Sequence, residues 1–215
     1  MVRTPSPSRL AWLALLASLT TACLFRARRG EPPVTGSLHV AGARAVDEGD
    51  LLGRLALTES GRWLFGVTEP HPFDRDLLAI DARRLERVYR SLGFYEAKVV
   101  DTRLHEHHGR MDVTFVVEEG RPTRVEHIVW SGLDGLDTRL RSELTADPPL
   151  REGALLVEES YNELKSRLRE RLRERGWWNA AVEGRVEVDP ATAAATVSLS
   201  FRTGDRLRIG RLFVG

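Results

Sequence analysis

The sequence predicts an α+β fold of two tandem βααββ units, each a three-stranded sheet with two helices on one face. An internal repeat carries most of this prediction. Residues 91–99 read SLGFYEAKV and residues 174–182 read ERGWWNAAV, which sets Gly93 and Gly176 83 positions apart. Further on, VTFVVEEG (113–120) returns as VSLSFRTG (197–204), with Gly120 and Gly204 84 positions apart. The same offset carries Val125 onto Ile209 and Ile128 onto Leu212. Inside each copy the hydrophobic period changes at the first glycine, from helical before it to alternating after it. At 215 residues with 42% hydrophobic side chains, the chain has apolar material for two small cores and too much for wholesale disorder.

The elements follow in order. Residues 1–23, MVRTPSPSRLAWLALLASLTTAC, place Arg3 and Arg9 ahead of the ten-residue apolar run Leu10–Leu19. That run is too short for a membrane span, which needs about 20 residues, and fits an export signal. Cys23 is the only cysteine, so no intrachain disulfide forms. It follows Ala22 at the place where such a signal is cut, which resembles a bacterial lipoprotein processing site. Thr20 stands where that pattern prefers leucine, and an ordinary secretory signal is the alternative. Residues 24–36 read as a linker, with Arg26, Arg28 and Arg29 clustered ahead of Pro32-Pro33.

The first unit is expected over 37–120 and the second over 121–206. A short helix follows the opening strand of each, Glu48–Leu57 in the first and Thr138–Leu144 in the second. In the second unit Tyr161, Leu164, Leu168 and Leu172 recur at helical spacing, with a charged opposite face that includes an i,i+4 pair between Glu163 and Arg167. Gly176 ends that helix, because glycine enters the left-handed position without strain. Gly93 does the same after Leu85, Val88, Tyr89 and Leu92. Asp74, Asp76 and Asp81 read as acids favoured by the positive N-terminal end of the first long helix. Val182, Val186 and Val188 then alternate with Glu183, Arg185 and Glu187 along a half-buried strand. Asp189-Pro190-Ala191-Thr192 supplies a turn. Val197, Leu199 and Phe201 form the next strand, and Val113, Phe115 and Val117 match it in the first copy. Residues 207–215 read as the first strand of an incomplete third unit, which favours a fragment of a longer product.

The glycine-aromatic-aromatic steps Gly93-Phe94-Tyr95-Glu96-Ala97-Lys98-Val99 and Gly176-Trp177-Trp178-Asn179-Ala180-Ala181-Val182, with Glu119-Gly120 and Ile128-Val129-Trp130-Ser131-Gly132, resemble the POTRA domain. The pattern resembles in particular the tandem POTRA domains of BamA/TamA-type outer-membrane assembly factors. Thr203-Gly204 replaces Glu-Gly in the second copy, and Trp177-Trp178 replaces the usual tyrosine-aromatic pair. The resemblance implies a periplasmic module at the outer membrane, ahead of a C-terminal β-barrel that this sequence lacks. It implies unfolded or partly folded outer-membrane proteins and other assembly-machine subunits as partners. The membrane would be reached through a lipid on Cys23 or through the missing barrel. Clients would add a strand to an exposed sheet edge. In family terms that edge is the strand carrying Ala97, Val99, Asp101 and Arg103 in the first unit and Ala181, Glu183, Arg185 and Glu187 in the second. A POTRA module of a division-type or other envelope scaffold is the alternative; it would want a longer N-terminal apolar span.

Other chemistry finds little support. The chain carries 32 Lys+Arg against 31 Asp+Glu, a net charge of +1. Removing residues 1–22 takes away two arginines and no acid, leaving 30 basic against 31 acidic residues, net −1. A nucleic-acid binder wants a clear positive excess, so no nucleic acid is expected. His105, His107 and His108 sit at an expected hairpin tip without four-coordinate ligand spacing, so no metal or other cofactor is expected there. His71 lies between Pro70 and Pro72 with nothing to activate it. One ring of Trp177-Trp178 is expected in the core and the other at the surface. No nucleophile–base pair or phosphate-cradling loop appears, so no enzyme is expected. If Cys23 carries acyl chains, Cys23→Ser moves the mature protein from the membrane to the soluble periplasmic fraction; absence of palmitate-analogue labelling on the wild type would refute the anchor.

Overall fold

The computed structural model describes residues 32–63, 66–67 and 69–207. The expected export signal with Cys23, most of the expected linker and residues 208–215 of the expected third-unit strand lie outside the described residues. The first repeat runs β1 (Val34–Ala41), α1 (Glu48–Leu52), a short hairpin of β2 (Arg62–Trp63) and β3 (Gly66–Val67), α2 (Asp76–Ser91), β4 (Lys98–His107) and β5 (Arg110–Glu118). The second runs β6 (Arg124–Ser131), α3 (Thr138–Thr145), α4 (Glu158–Glu174), β7 (Ala181–Asp189) and β8 (Ala194–Arg202). The sheets have strand orders β1-β5-β4 and β6-β8-β7. Each repeat is therefore the expected three-stranded α+β unit. The β2–β3 hairpin is an addition, paired antiparallel through Arg62 with Val67 and Trp63 with Gly66.

The chain gathers into two compact units whose division runs through the first repeat. The larger comprises His39–Leu57, Arg75–Arg103 and the described residues from Thr114 on. In it β6 pairs in parallel with β8, and β7 pairs antiparallel with β8 without a break from Ala181–Arg202 to Asp189–Ala194. Alternate residues of β8, Ala195, Val197, Leu199 and Phe201, are buried. They share one apolar cluster with Leu140 and Leu144 of α3 and Leu164, Leu168 and Leu172 of α4. That leaves the other face of β8 more open, so both helices cover a single side of this sheet. Asp47 and Asp137 start α1 and α3 by accepting backbone N–H groups, Gly49 and Asp50 at the first and Leu140 at the second.

The long helices end alike. Gly93 and Gly176 take φ of 94° and 90°. Phe94 N–H donates to Tyr89 C=O and Trp177 N–H to Leu172 C=O, both at 2.9 Å. Gly93 N–H donates to Arg90 C=O and Gly176 N–H to Arg173 C=O, both at 3.0 Å. This is the paired-bond glycine terminus that satisfies the last helical carbonyls. The expected Glu163–Arg167 pair forms at 2.6 Å on the exposed face of α4.

Two expectations change. α1 ends at Leu52, not Leu57, and Asp81 is not an N-terminal acid. Asp81 lies within α2 and is fully buried. Its Oδ1 accepts Ala56 N–H at 2.7 Å and its Oδ2 accepts Leu57 N–H at 2.9 Å, with Arg84 Nη1 3.4 Å from Oδ1. The amides that would have continued α1 are bound to this carboxylate instead. At the repeat offset of 83, Asp81, Leu85 and Tyr89 correspond to Leu164, Leu168 and Leu172, so a carboxylate stands where the second repeat has a core leucine. Glu119 acts similarly, accepting Arg44 N–H, Ala45 N–H and the buried Tyr89 hydroxyl at 2.8, 2.9 and 3.1 Å. Burial, and then the Glu119 carboxylate, hold the Tyr89 phenol far above its ordinary range.

The smaller unit comprises the described residues up to Leu38, with those of 58–74 and Leu104–Val113. Ser60 is its polar hub. Its backbone N–H donates to Thr35 C=O, its Oγ accepts His71 N–H, and its C=O accepts Arg110 Nη2. Asp112 Oδ1 accepts Ser37 N–H at 2.7 Å. Partial burial opposes ionisation of Asp112, but the Ser37 hydrogen bonds and nearby His107 prevail and lower its pKa.

Asp81→Leu, which copies the second repeat, leaves two N–H groups without their acceptor and is expected to cost about 2–4 kcal/mol. Asp81→Asn keeps one acceptor and is expected to cost less. Hydrogen exchange at the Ala56 and Leu57 amides reads the loss directly; unchanged protection in Asp81→Leu would contradict this role.

Candidate functional site

A strand at the rim of a sheet presents backbone N–H and C=O groups along its free side. β4 and β7 are the outer strands next to β5 and β8. Val99, Asp101 and Arg103 lie in β4, and Ala181, Glu183, Arg185 and Glu187 lie in β7. Ala97 does not belong to the edge. It is buried one residue before β4, and its N–H closes a turn to Phe94 C=O. Arg103 pairs with Asp101 at 3.0 Å, Arg185 with Glu187 at 2.9 Å, and Arg202 with Glu183. These exposed pairs contribute little stability; their effect on the edge is to keep it charged.

The two edges differ where each meets its long helix. In the first repeat Glu86 of α2 accepts Val99 N–H at 3.2 Å, so a helix side chain caps the entry to β4. Glu86 also lies 3.6 Å from Arg90 Nη2. At the offset of 83 its counterpart is Arg169, a side chain that only donates. Among the described residues no side chain bonds a β7 backbone N–H. Over β7 the helix instead brings Tyr161 down onto Gly184, where a Cβ would fall 2.2 Å from the hydroxyl oxygen. Lys165 Nζ stands 4.7 Å from the centre of the Tyr161 ring. The α4–β7 groove thus has an amphipathic wall and an uncapped strand entry.

The glycine terminus of α2 builds a second site. Gly93 C=O accepts Thr123 N–H at 2.8 Å, while Thr123 C=O accepts Leu156 N–H at 2.9 Å. A Cβ on Gly93 would lie 2.9 Å from Leu155 Cγ. Tyr95 packs on the apolar cluster of the second repeat. Desolvation, and then the Glu158 carboxylate, raise its pKa. Arg121 reaches Glu96 at 3.1 Å and the carbonyls of Pro190 and Ala191 at 2.9 and 3.2 Å. Its hydrogen bond holds the Glu96 carboxyl below the usual range. Of the tryptophan pair, Trp177 packs on the second core and Trp178 is 64% exposed.

The histidines at the β4–β5 turn gather without building a metal centre. The His105 and His107 rings stack with centroids 5.6 Å apart, and His107 Nδ1 lies 3.2 Å from Asp112 Oδ2. His107 Nδ1 makes no aligned hydrogen bond there. No group of three or more His, Cys, Asp or Glu among the described residues could hold a metal ion. No described helix is long and apolar enough to cross a membrane. Cys23 lies outside the described residues. Sequence reading missed Asp81 and Glu86, and the 83-residue offset was the signal for both: each breaks the match to its counterpart, Leu164 or Arg169.

A family described as POTRA, surface antigen variable number repeat, matches residues 33–120 and 123–204. The chain belongs to this family. Similar solved structures include BamA POTRA3-5 of Haemophilus influenzae, at 20% identity over 84% of this chain and 70% of that one, with a TM-score of 0.45. BamA of Haemophilus ducreyi lacking POTRA domains 1-3 matches at 20% identity over 80% of this chain and 29% of that one, with a TM-score of 0.46. The N-terminal domain of Omp85 from Thermosynechococcus elongatus matches at 18% identity over 79% and 63%, with a TM-score of 0.42. No curated protein matches the chain.

Glu86→Ala is expected to speed amide exchange at Val99 while leaving the buried amides of α2 protected. Unchanged exchange at Val99 would show that the carboxylate does not cap the strand.

Proposed function

We propose that this protein is a periplasmic docking module in outer-membrane protein assembly or secretion. It binds extended client segments by strand addition and catalyses no reaction. The observation that carries this reading is the position of β7: the outer strand of its sheet, paired on one side with β8, beside the α4 groove. In an antiparallel pair, alternate residues turn their N–H and C=O groups toward the partner and the rest turn them outward. A nine-residue outer strand therefore offers several backbone donors and acceptors to an incoming chain. Backbone bonding is indifferent to side-chain identity, which suits many different barrel precursors. Glu183, Arg185 and Glu187 discourage permanent edge-to-edge pairing and favour contacts that release.

β7 is the preferred edge in this proposal and β4 the weaker one, because Glu86 occupies the Val99 backbone donor near the start of β4. The domain limits 37–120 and 121–206, the lipid on Cys23 and location at the outer membrane belong to the same proposal. The family supports a protein-interaction scaffold, and the lone cysteine after an export signal supports the anchor.

Proline at position 185 tests the edge. Arg185→Pro removes a backbone donor and bends the strand. Site-specific photocrosslinking from β7 to nascent outer-membrane proteins is expected to fall strongly, with the helical circular dichroism signal retained. A folded Arg185→Pro protein that crosslinks clients as well as wild type would remove β7 as the binding edge. Glu86→Ala gives an opposite readout, with crosslinking from β4 expected to rise once Val99 N–H is free.

A further inference from the structure

The opening strands of the two repeats, β1 and β6, cover their outer sides in the same way. They align at an offset of 90, which sets Thr35 on Val125, Leu38 on Ile128 and Gly42 on Gly132. Each is covered first by backbone. Thr35 N–H donates to His71 C=O at 2.8 Å, and Thr35 C=O accepts Ser60 N–H at 3.0 Å. Val125 N–H donates to Ala154 C=O at 2.9 Å, and Val125 C=O accepts Gly153 N–H at 2.7 Å. Further along, the cover passes to a glutamate. Leu38 N–H donates to Glu59 Oε1 at 2.7 Å and Ile128 N–H to Glu152 Oε1 at 2.9 Å. In the first repeat Glu48 then takes Val40 N–H at 2.8 Å.

A carboxylate only accepts, so on an outward N–H it removes a donor that an added strand would need and places a negative charge there. Glu59 and Glu152 belong to loops, one ahead of β2 and the other ahead of α4, yet they reach the same register position. β6 depends on its glutamate more than β1 does. Thr138 stands where the first repeat has Glu48, and among the described residues no side chain takes Trp130 N–H. The strand there reads Ile128-Val129-Trp130, with Val129 48% exposed. Alternate residues of a strand turn N–H and C=O to the same side, so Ile128 and Trp130 share an outward direction. Without Glu152, β6 would offer both residues' backbone groups beside an exposed apolar side chain, an edge suited to pairing with another chain.

We infer that Glu152 is a specificity-determining gate that keeps β6 closed to extended polypeptide, as Glu59 and Glu48 keep β1 closed. It confines docking on the second sheet to β7, the opposite outer strand. The inference deepens the docking function proposed above and rests on strand addition as its mode.

The test uses the full chain and a synthetic probe. The probe is a peptide of the β8 sequence, residues 194–202, carrying a benzophenone side chain in place of Ser198. β8 pairs with β6 on one side and β7 on the other, so its sequence suits either strand. Crosslinks are mapped in wild type, Glu152→Ala and Glu152→Gln. Labelling of residues 127–131 is expected to rise about tenfold in Glu152→Ala, the factor expected for loss of a hydrogen bond to a charged group. Glu152→Gln keeps an acceptor without the charge and is expected to label like wild type. Amide exchange on the same proteins checks the fold, with faster exchange expected at Ile128 in Glu152→Ala and unchanged protection of the buried β8 residues. Equal labelling of 127–131 in wild type and Glu152→Ala, whether high or absent, overturns the gate. Unchanged exchange at Ile128 in Glu152→Ala does the same, and so does a Glu152→Gln protein that labels like Glu152→Ala. Labelling of residues 181–189 reads the docking proposal separately. Its absence in all three proteins would sink strand addition at β7, while residues 127–131 still decide the role of Glu152.

Discussion

The structure depends on the left-handed glycine that closes each long helix. At φ near 90° the chain reverses without a Cβ clash, the last helical carbonyls find donors, and the next residues turn at once into an outer strand. A side chain at Gly93 would also strike Leu155, and one at Gly176 would approach Leu207 C=O to 2.8 Å. The glycines are thus fixed twice, by conformation and by what lies against them. From them follow the placement of the aromatic pair, the start of β4 and β7, and the carbonyl that receives the next stretch of chain. The outer strands and the seat between the repeats are two products of one turn.

Most of this was legible because the turn has a strong local signature. A glycine after a helical stripe and before two aromatics allows few other readings, and the second copy confirmed the register. The stripe Leu164, Leu168 and Leu172 and the alternation Val197, Leu199 and Phe201 lie buried as their periods required. The division of Trp177 and Trp178 between core and surface also followed from the pattern. What stayed hidden were polar atoms acting over distance. Asp81 reads as one more acid near a helix start, since nothing local says that the amides of Ala56 and Leu57 will face it. Glu86 reads as a solvated helix residue until β4 is folded beside it. Ala97 reads as part of the strand because the motif that marks the outer strand begins one residue before it does. The β2–β3 hairpin has no counterpart in the second repeat among the described residues, so the repeat could not announce it.

Each repeat thus combines a shared backbone plan with private polar fastenings. Glu119 ties the buried Tyr89 hydroxyl and the chain after β1 together, whereas the second copy has Thr203 at that place. Ser60 and Asp112 organise the smaller unit through backbone groups, away from the hydrophobic alternation. Burying such groups is tolerable only with partners at hand, and each of these carboxylates has at least one backbone N–H. Family membership rests on the shared plan; the individuality of this chain lies in the fastenings.

The carboxylate at position 81 also bears on how two like modules fold in one chain. Repeats with interchangeable parts invite misassembly, in which the helix of one copy docks on the sheet of the other. Leu164 sits among the apolar side chains of Leu140, Leu144, Leu168 and Leu172. Were α2 to dock there in place of α4, Asp81 would enter that cluster as an unpartnered charge, at a cost no apolar contact recovers. In the reverse exchange, Leu164 would arrive opposite the amides of Ala56 and Leu57 and satisfy neither. A single buried acid therefore gives each helix an address, and the near-identical architecture of the repeats does not make them exchangeable.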